Sequence, residues 1–259
     1  MTKSLAFAAL FLATPAAALY DSAGSDEIAL EEAVVAPQPA AVAASALRGI
    51  MLDPGHGGED FGAVVAGRRE KDLALAIAHK VKARLEALGG APVTLTREDD
   101  RFIALNERVD RSLHWSEGAF VSLHLNQVRH KKLQGITIFA FGQKRFKTKP
   151  RRRRIRNLLP PLPAPPPAAA AASNELARAL VRSLRSEGFR VDPPAKAAFY
   201  VLKNPRLPSV LVELGYLSNP EEREKLVDPA YQERLADALA RSIKSYLAAS
   251  AGVPAAAGR

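Results

Sequence analysis

Short apolar runs in this chain stop on side chains that can do chemistry. Ile50, Met51 and Leu52 run into Asp53-Pro54-Gly55-His56-Gly57-Gly58, Phe120 to Leu123 end at His124, and Val210 to Val212 end at Glu213. Such brief runs, closed by turn-forming residues, read as buried strands, because a helix needs about ten residues or more of 3.6-residue period. Helical stripes lie between them. Leu73, Ile77, Val81, Leu85 and Leu88 share one face of an amphipathic helix that stops at Gly89 and Gly90. Further helices are expected near Leu105 to Leu113, from about Asn174 to Ser186, after Asn219-Pro220, and from roughly Ala230 to Leu247. Further strands are expected at Val93 to Thr96, Gly135 to Phe141 and Phe199 to Leu202. Strands alternating with helices predict an α/β fold, a single domain with a mixed, mostly parallel sheet flanked by helices on both faces. A chain of 259 residues, 47% of them hydrophobic, can bury one such core. Ligands of open α/β sheets bind beyond the carboxyl ends of the strands, and His56, His124 and Glu213 all stand there.

The flanks read differently. Residues 1–18 carry Lys3, an apolar run from Leu5 to Leu12 and the triplet Ala16-Ala17-Ala18, the pattern of a secretory signal peptide cut after Ala18. The run is shorter than the roughly 20 residues of a membrane span, so no transmembrane segment is expected. Cysteine is absent, which excludes disulfides and a lipid-bearing cysteine. An exported protein of the periplasm or cell envelope is the resulting expectation. Residues 19–46 are expected as an Ala/Pro-rich tether without any period, residues 47–248 as the folded domain, and residues 249–259 as a disordered tail.

Residues 143–173 interrupt the domain as an insertion with a basic run, a proline cluster and an alanine tract. Nine Lys and Arg residues between Lys144 and Arg156 account for nearly all of the net charge of +10. Clustered positive charge attracts polyanions, so an acidic activator protein or an anionic envelope polymer is the expected partner. A solvated linker without a partner is the plainer reading and carries equal weight. Export argues against nucleic acid.

Glu70 opens the helix that follows the glycine-rich loop, from where it can turn back toward His56 across the same sheet edge. On residue type alone Glu70 is equally well a charge favoured by the helix dipole. Two imidazoles and one carboxylate make a catalytic zinc set with a fourth position open. Nitrogen donors favour Zn2+ over calcium or magnesium, and without cysteine a closed thiolate site is excluded. Glu213 is then the candidate carboxylate for proton transfer. His79 and His130 read as solvated, and His114 as structural.

Several blocks stand in order: Asp53-Pro54-Gly55-His56-Gly57-Gly58, Glu70-Lys71-Asp72, Thr96-Arg97 with Asp100, Ser122-Leu123-His124-Leu125-Asn126, and Val210 to Asn219. Together, over about residues 48–247, they resemble the zinc-dependent N-acetylmuramoyl-L-alanine amidases that include the cell-separation amidases. The resemblance implies His56, Glu70 and His124 as ligands of Zn2+, and Glu213 as the carboxylate that activates water and protonates the leaving amine. It implies Asn126 beside the site, orienting substrate, and peptidoglycan as that substrate. The bond cut would join the lactyl group of N-acetylmuramic acid to the L-alanine of the stem peptide. A zinc peptidase acting on stem peptides and a non-catalytic wall-binding or regulatory protein are the alternatives. In cell-separation amidases a helix near the insertion can plug the site. Residues 143–173 contain no Asp or Glu, so a plug that ligates zinc through a carboxylate is not expected from them. The stretch His114-Trp115-Ser116-Glu117-Gly118-Ala119 departs from the Asp or Asn pair that the family often carries before the second histidine.

Overall fold

The structure, a computed structural model, describes residues 48–115, 117–142 and 161–250. The signal peptide, the tether, the basic run and the tail beyond Ser250 lie outside the described residues; residues 249–250, expected in the tail, instead end the last helix. Among the described residues no helix is long and apolar enough to cross a membrane.

In chain order the elements are β1 (Arg48–Pro54), the two-residue strands β2 (Val64–Val65) and β3 (Arg68–Arg69), α1 (Glu70–Leu88), β4 (Val93–Leu95), α2 (Leu105–Asp110), β5 (Glu117–Asn126) and β6 (Thr137–Phe141). They continue with α3 (Pro167–Ser186), β7 (Ala195–Ala197), a 3-10 turn at Tyr200–Lys203, β8 (Ser209–Tyr216), α4 (Pro220–Val227) and α5 (Pro229–Ser250). Six strands form one sheet in the order β4-β1-β5-β8-β6-β7. Neighbours are parallel except β6, which runs antiparallel to β8. The mixed, mostly parallel sheet expected from the sequence is the one found.

Side chains alternate between the two faces of a strand, and here the alternation decides where the chemistry goes. Ile50, Leu52, Val121, Leu123, Val210 and Val212 bury against α1, α3 and α5 in the main core. The residues between them, Met51, Phe120 and Leu211, face the other way and pack with Trp115, Val201, Leu202 and Leu207. Helices thus lie on both faces, but unequally. Among the described residues the second face is covered by the 3-10 turn, the chain around it and the short α2, which packs on that turn. Continued toward the carboxyl ends, the same alternation places Asp53, Ser122, His124 and Glu213 on this lightly covered face.

Three local expectations are corrected. The alanine tract assigned to the insertion is the first part of α3, which starts at Pro167 rather than near Asn174. Proline is pre-organised for the first helical position and alanine is the best helix former, and Ser173 is locked in by accepting the Ser209 N–H at 2.9 Å. Residues 199–202, expected as a strand, are mostly a 3-10 turn; their apolar content is buried as expected, but a run this short does not distinguish the two. The strand β7 and the β2–β3 pair were not expected, being too short to show a period.

α4 follows directly on β8 and is started by Asn219, whose side chain accepts hydrogen bonds from the Glu221 and Glu222 N–H groups at 2.9 and 3.2 Å. Asn219→Ala is expected to destabilise the domain by about 1 kcal/mol, read as a lower urea midpoint with unchanged slope.

Candidate active site and metal centre

The loop after β1 is short of side chains because the site fills the space they would take. A Cβ on Gly55 would lie 2.3 Å from the His124 ring, and one on Gly62 would lie 2.5 Å from both Glu70 Oε2 and the His56 ring. His56 itself has φ 59°, a left-handed conformation that a non-glycine residue holds only where its surroundings enforce it. Two buried arginines do so. Arg108 donates to the carbonyls of Pro54 (2.9 Å) and His56 (2.6 Å), and Arg97 to those of Pro54 (3.0 Å), Gly55 (2.8 Å) and Lys71 (2.8 Å). Asp53, fully buried, pairs with Arg108 at 2.7 Å and accepts from Thr96 and Ser122 at 2.6 and 2.7 Å. Burial alone would raise the Asp53 pKa, but Arg108 and the two hydroxyls outweigh it and hold the carboxyl ionised below its ordinary range. Lys71, also buried, ties the far side of the loop by donating to Gly58 O at 2.7 Å and to Asp100 at 2.6 Å.

On this frame His56, Glu70 and His124 meet. Glu70 Oε1 stands 3.1 Å from His56 Nε2 and 2.8 Å from His124 Nδ1, and the three ligand atoms all lie within 4.8 Å of one another. The carboxylate is fixed by backbone donors, Leu125 N at 3.0 Å to Oε1 and Ala63 N at 2.8 Å to Oε2. Burial would raise the Glu70 pKa, yet the hydrogen bonds and charge of His124 and His56 outweigh it and hold the group well below the usual carboxylate range. For His56 burial lowers the pKa, and Glu70 with Asp60 more than offset that, leaving it raised.

Asp60 was not singled out in the sequence, where a carboxylate inside a glycine-rich turn reads as a turn former. Its Oδ2 lies 2.8 Å from His56 Nδ1, and its Oδ1 accepts the Gly62 N–H at 3.1 Å. An ionised carboxylate only accepts, so Nδ1 carries a proton and Nε2 is the ring nitrogen on the Glu70 side.

Glu213 stands beside His124 in the parallel register of β5 and β8. Its Oε2 is buried and has no hydrogen-bond partner among the described residues. Burial pushes its pKa up to about 7, opposed by His124 and His56 and assisted by Glu70. A carboxyl that titrates near neutral can both take and return a proton. Asn126 ends the same strand as His124, half-buried, with its carbonyl accepting the Leu217 N–H at 2.9 Å.

Residues 50–245 match the model of the family described as N-acetylmuramoyl-L-alanine amidase. The chain belongs to that family. It is 31% identical to the N-acetylmuramoyl-L-alanine amidase AmiA of Salmonella typhimurium over 95% of this chain and 93% of the relative. The N-acetylmuramoyl-L-alanine amidase of Clostridium difficile 630 superposes with a TM-score of 0.65 at 28% identity, over 79% of this chain and 98% of that one. The CwlD amidase of Clostridioides difficile, solved in complex with the GerS lipoprotein, gives 0.62 at 30% identity, over 78% and 99%. The enzyme is therefore a peptidoglycan amidase of single-domain α/β architecture.

In the amidase, the sequence-predicted His56, Glu70, His124 and Glu213 come together at one sheet edge, and Asn126 lies two residues from His124. His130 is exposed as expected, whereas His79, expected to be solvated, is half-buried with Nε2 3.0 Å from Glu98 O. His114 lies against Trp115, with ring centroids 4.4 Å apart.

Arg108→Leu leaves Asp53 as an uncompensated buried charge and is expected to cost about 3–5 kcal/mol, measured by urea denaturation. The raised pKa of Glu213 gives a second expectation. Between 4.5, its ordinary value, and about 7 the folded amidase binds more protons there than the unfolded chain. The stability contributed by this group is therefore full below pH 4.5 and lost as pH rises through 7. In chelator-treated protein, Glu213→Gln should be the more stable form at pH 7.5, and the difference should shrink toward pH 5 in thermal melts.

Proposed function

We propose that the amidase holds one Zn2+ between His56, Glu70 and His124, and that Glu213 moves the proton in hydrolysis of the amide between N-acetylmuramic acid and the L-alanine of the stem peptide. The observation that carries this reading is the buried, partnerless Oε2 of Glu213 beside three converging donors. The donor set suits zinc: two nitrogens and one carboxylate oxygen are a common catalytic combination, and nitrogen donors argue against calcium or magnesium. When bound there, zinc supplies Lewis acidity, polarising the carbonyl and bringing the pKa of water to roughly 7.

The chain's own groups do the rest. Asp60 keeps His56 in the tautomer whose Nε2 faces the centre. Glu213 takes a proton from the attacking water and returns it to the departing L-alanine nitrogen, a transfer its near-neutral pKa favours in both directions. Asn126 orients the substrate from the end of β5. Export through residues 1–18 delivers the enzyme to the periplasm or cell envelope, where its polymer substrate lies. The basic run from Lys144 to Arg156 binds an acidic activator protein or an anionic envelope polymer. That a relative, CwlD, was solved with a lipoprotein supports a protein as one of these partners.

A digest of purified peptidoglycan tests the reaction. Wild type should release stem peptides with a new free L-alanine amine, and a chelator should stop it. Glu213→Gln should lower the rate on the order of 10²–10⁴-fold with zinc content unchanged by elemental analysis. New sugar reducing ends, or cuts within the stem peptide, would replace this reading with another hydrolase.

A further inference from the structure

The polar line across the carboxyl ends of the strands does not stop at Glu213. Thr137 on β6 is its direct antiparallel partner, so the two side chains project from the same face with Cβ atoms roughly 5 Å apart. Thr137 Oγ1 donates to Asp192 Oδ2 at 3.1 Å. The backbone of Asp192 is held on one side by its own N–H, which donates to Ile136 O at 2.9 Å. On the other side Pro193 and Pro194 follow, and proline restricts both itself and the residue before it. The carboxylate is thus fixed in place, half-buried, and has no cationic partner among the described residues. None of the hydrolytic groups uses it.

We propose that Thr137 and Asp192 form a specificity subsite for an ammonium group carried by the stem peptide, two to three residues beyond the L-alanine at the cut. The inference rests on the amidase reading above. The strand spacing of about 4.8 Å and the Thr137–Asp192 hydrogen bond of 3.1 Å put the carboxylate roughly 8–10 Å from Glu213, the span of two to three extended residues. A fixed carboxylate bonded to a residue on the same sheet face as the proton-transfer group selects a cationic amine over a neutral substituent, because the uncharged group leaves the carboxylate desolvated without compensation. A peptide leaving the zinc edge across β8 and β6 meets Thr137 first and Asp192 next.

The test uses the full chain and a pair of synthetic N-acetylmuramoyl tripeptides ending in lysine, one with the side-chain amine free and one with it acetylated. Wild type should cut the free-amine substrate with a KM about fivefold lower, the order expected of a partly exposed ion pair. Asp192→Asn should raise KM about fivefold for the free amine, leave kcat unchanged, and leave the acetylated substrate unaffected. Thr137→Val, which removes the hydroxyl that orients the carboxylate, should shift KM in the same sense by less. Equal loss on both substrates, or no change on either, overturns the subsite while the amidase reading stands. Failure of wild type to cut either substrate, or any peptidoglycan, overturns the amidase reading and this inference with it.

Discussion

Two buried guanidinium groups hold the carbonyls of the loop between β1 and α1, and the arrangement of the site follows from them. A loop rich in glycine, with a histidine at positive φ, has little intrinsic preference for one conformation. Arg97 and Arg108 supply that preference through hydrogen bonds to Pro54, Gly55 and His56. Burying two such charges is costly. Asp53 offsets the cost for Arg108, whereas Arg97 is satisfied largely by carbonyl oxygens. With the loop fixed, His56 can reach Glu70, and Gly55 and Gly62 leave the room in which His124 and Glu70 approach.

Two carboxylates near the same pair of imidazoles end up in opposite states. Glu70 accepts from two backbone N–H groups, lies within 3.1 Å of a ring nitrogen of each histidine and stays ionised. Glu213, in a strand, keeps a buried oxygen without a donor among the described residues, and burial raises its pKa to about 7. Environments that push two acids apart in this way divide their roles: the first is suited to hold a cation, the second to carry a proton. The same element type does not decide it, since Glu70 opens a helix and Glu213 lies within a strand. The supply of donors does.

Much of this was legible in the sequence because the core strands are short, strongly apolar and punctuated. Ile50 to Leu52, Phe120 to Leu123 and Val210 to Val212 could hardly be other than strands, so His56, His124 and Glu213 fell at one edge without any knowledge of the sheet order. What escaped notice lacked a period or imitated something else. The alanine tract next to a proline cluster looked like low-complexity insertion until Ala169 and Ser173 were found buried in α3. Asp60 among glycines reads as a turn former, and only its contact with His56 gives it other work. β7, three residues of alanine and lysine, owes its existence to β6 alongside it.

The unequal covering of the sheet has a consequence for how the site is reached. Three long helices occupy one side, and the described residues leave the groups at the carboxyl ends of the strands on the other, shallow side. The side chains at the carboxyl ends of β1, β5 and β8 are therefore reached, among the described residues, past α2 and the 3-10 turn rather than past the three long helices.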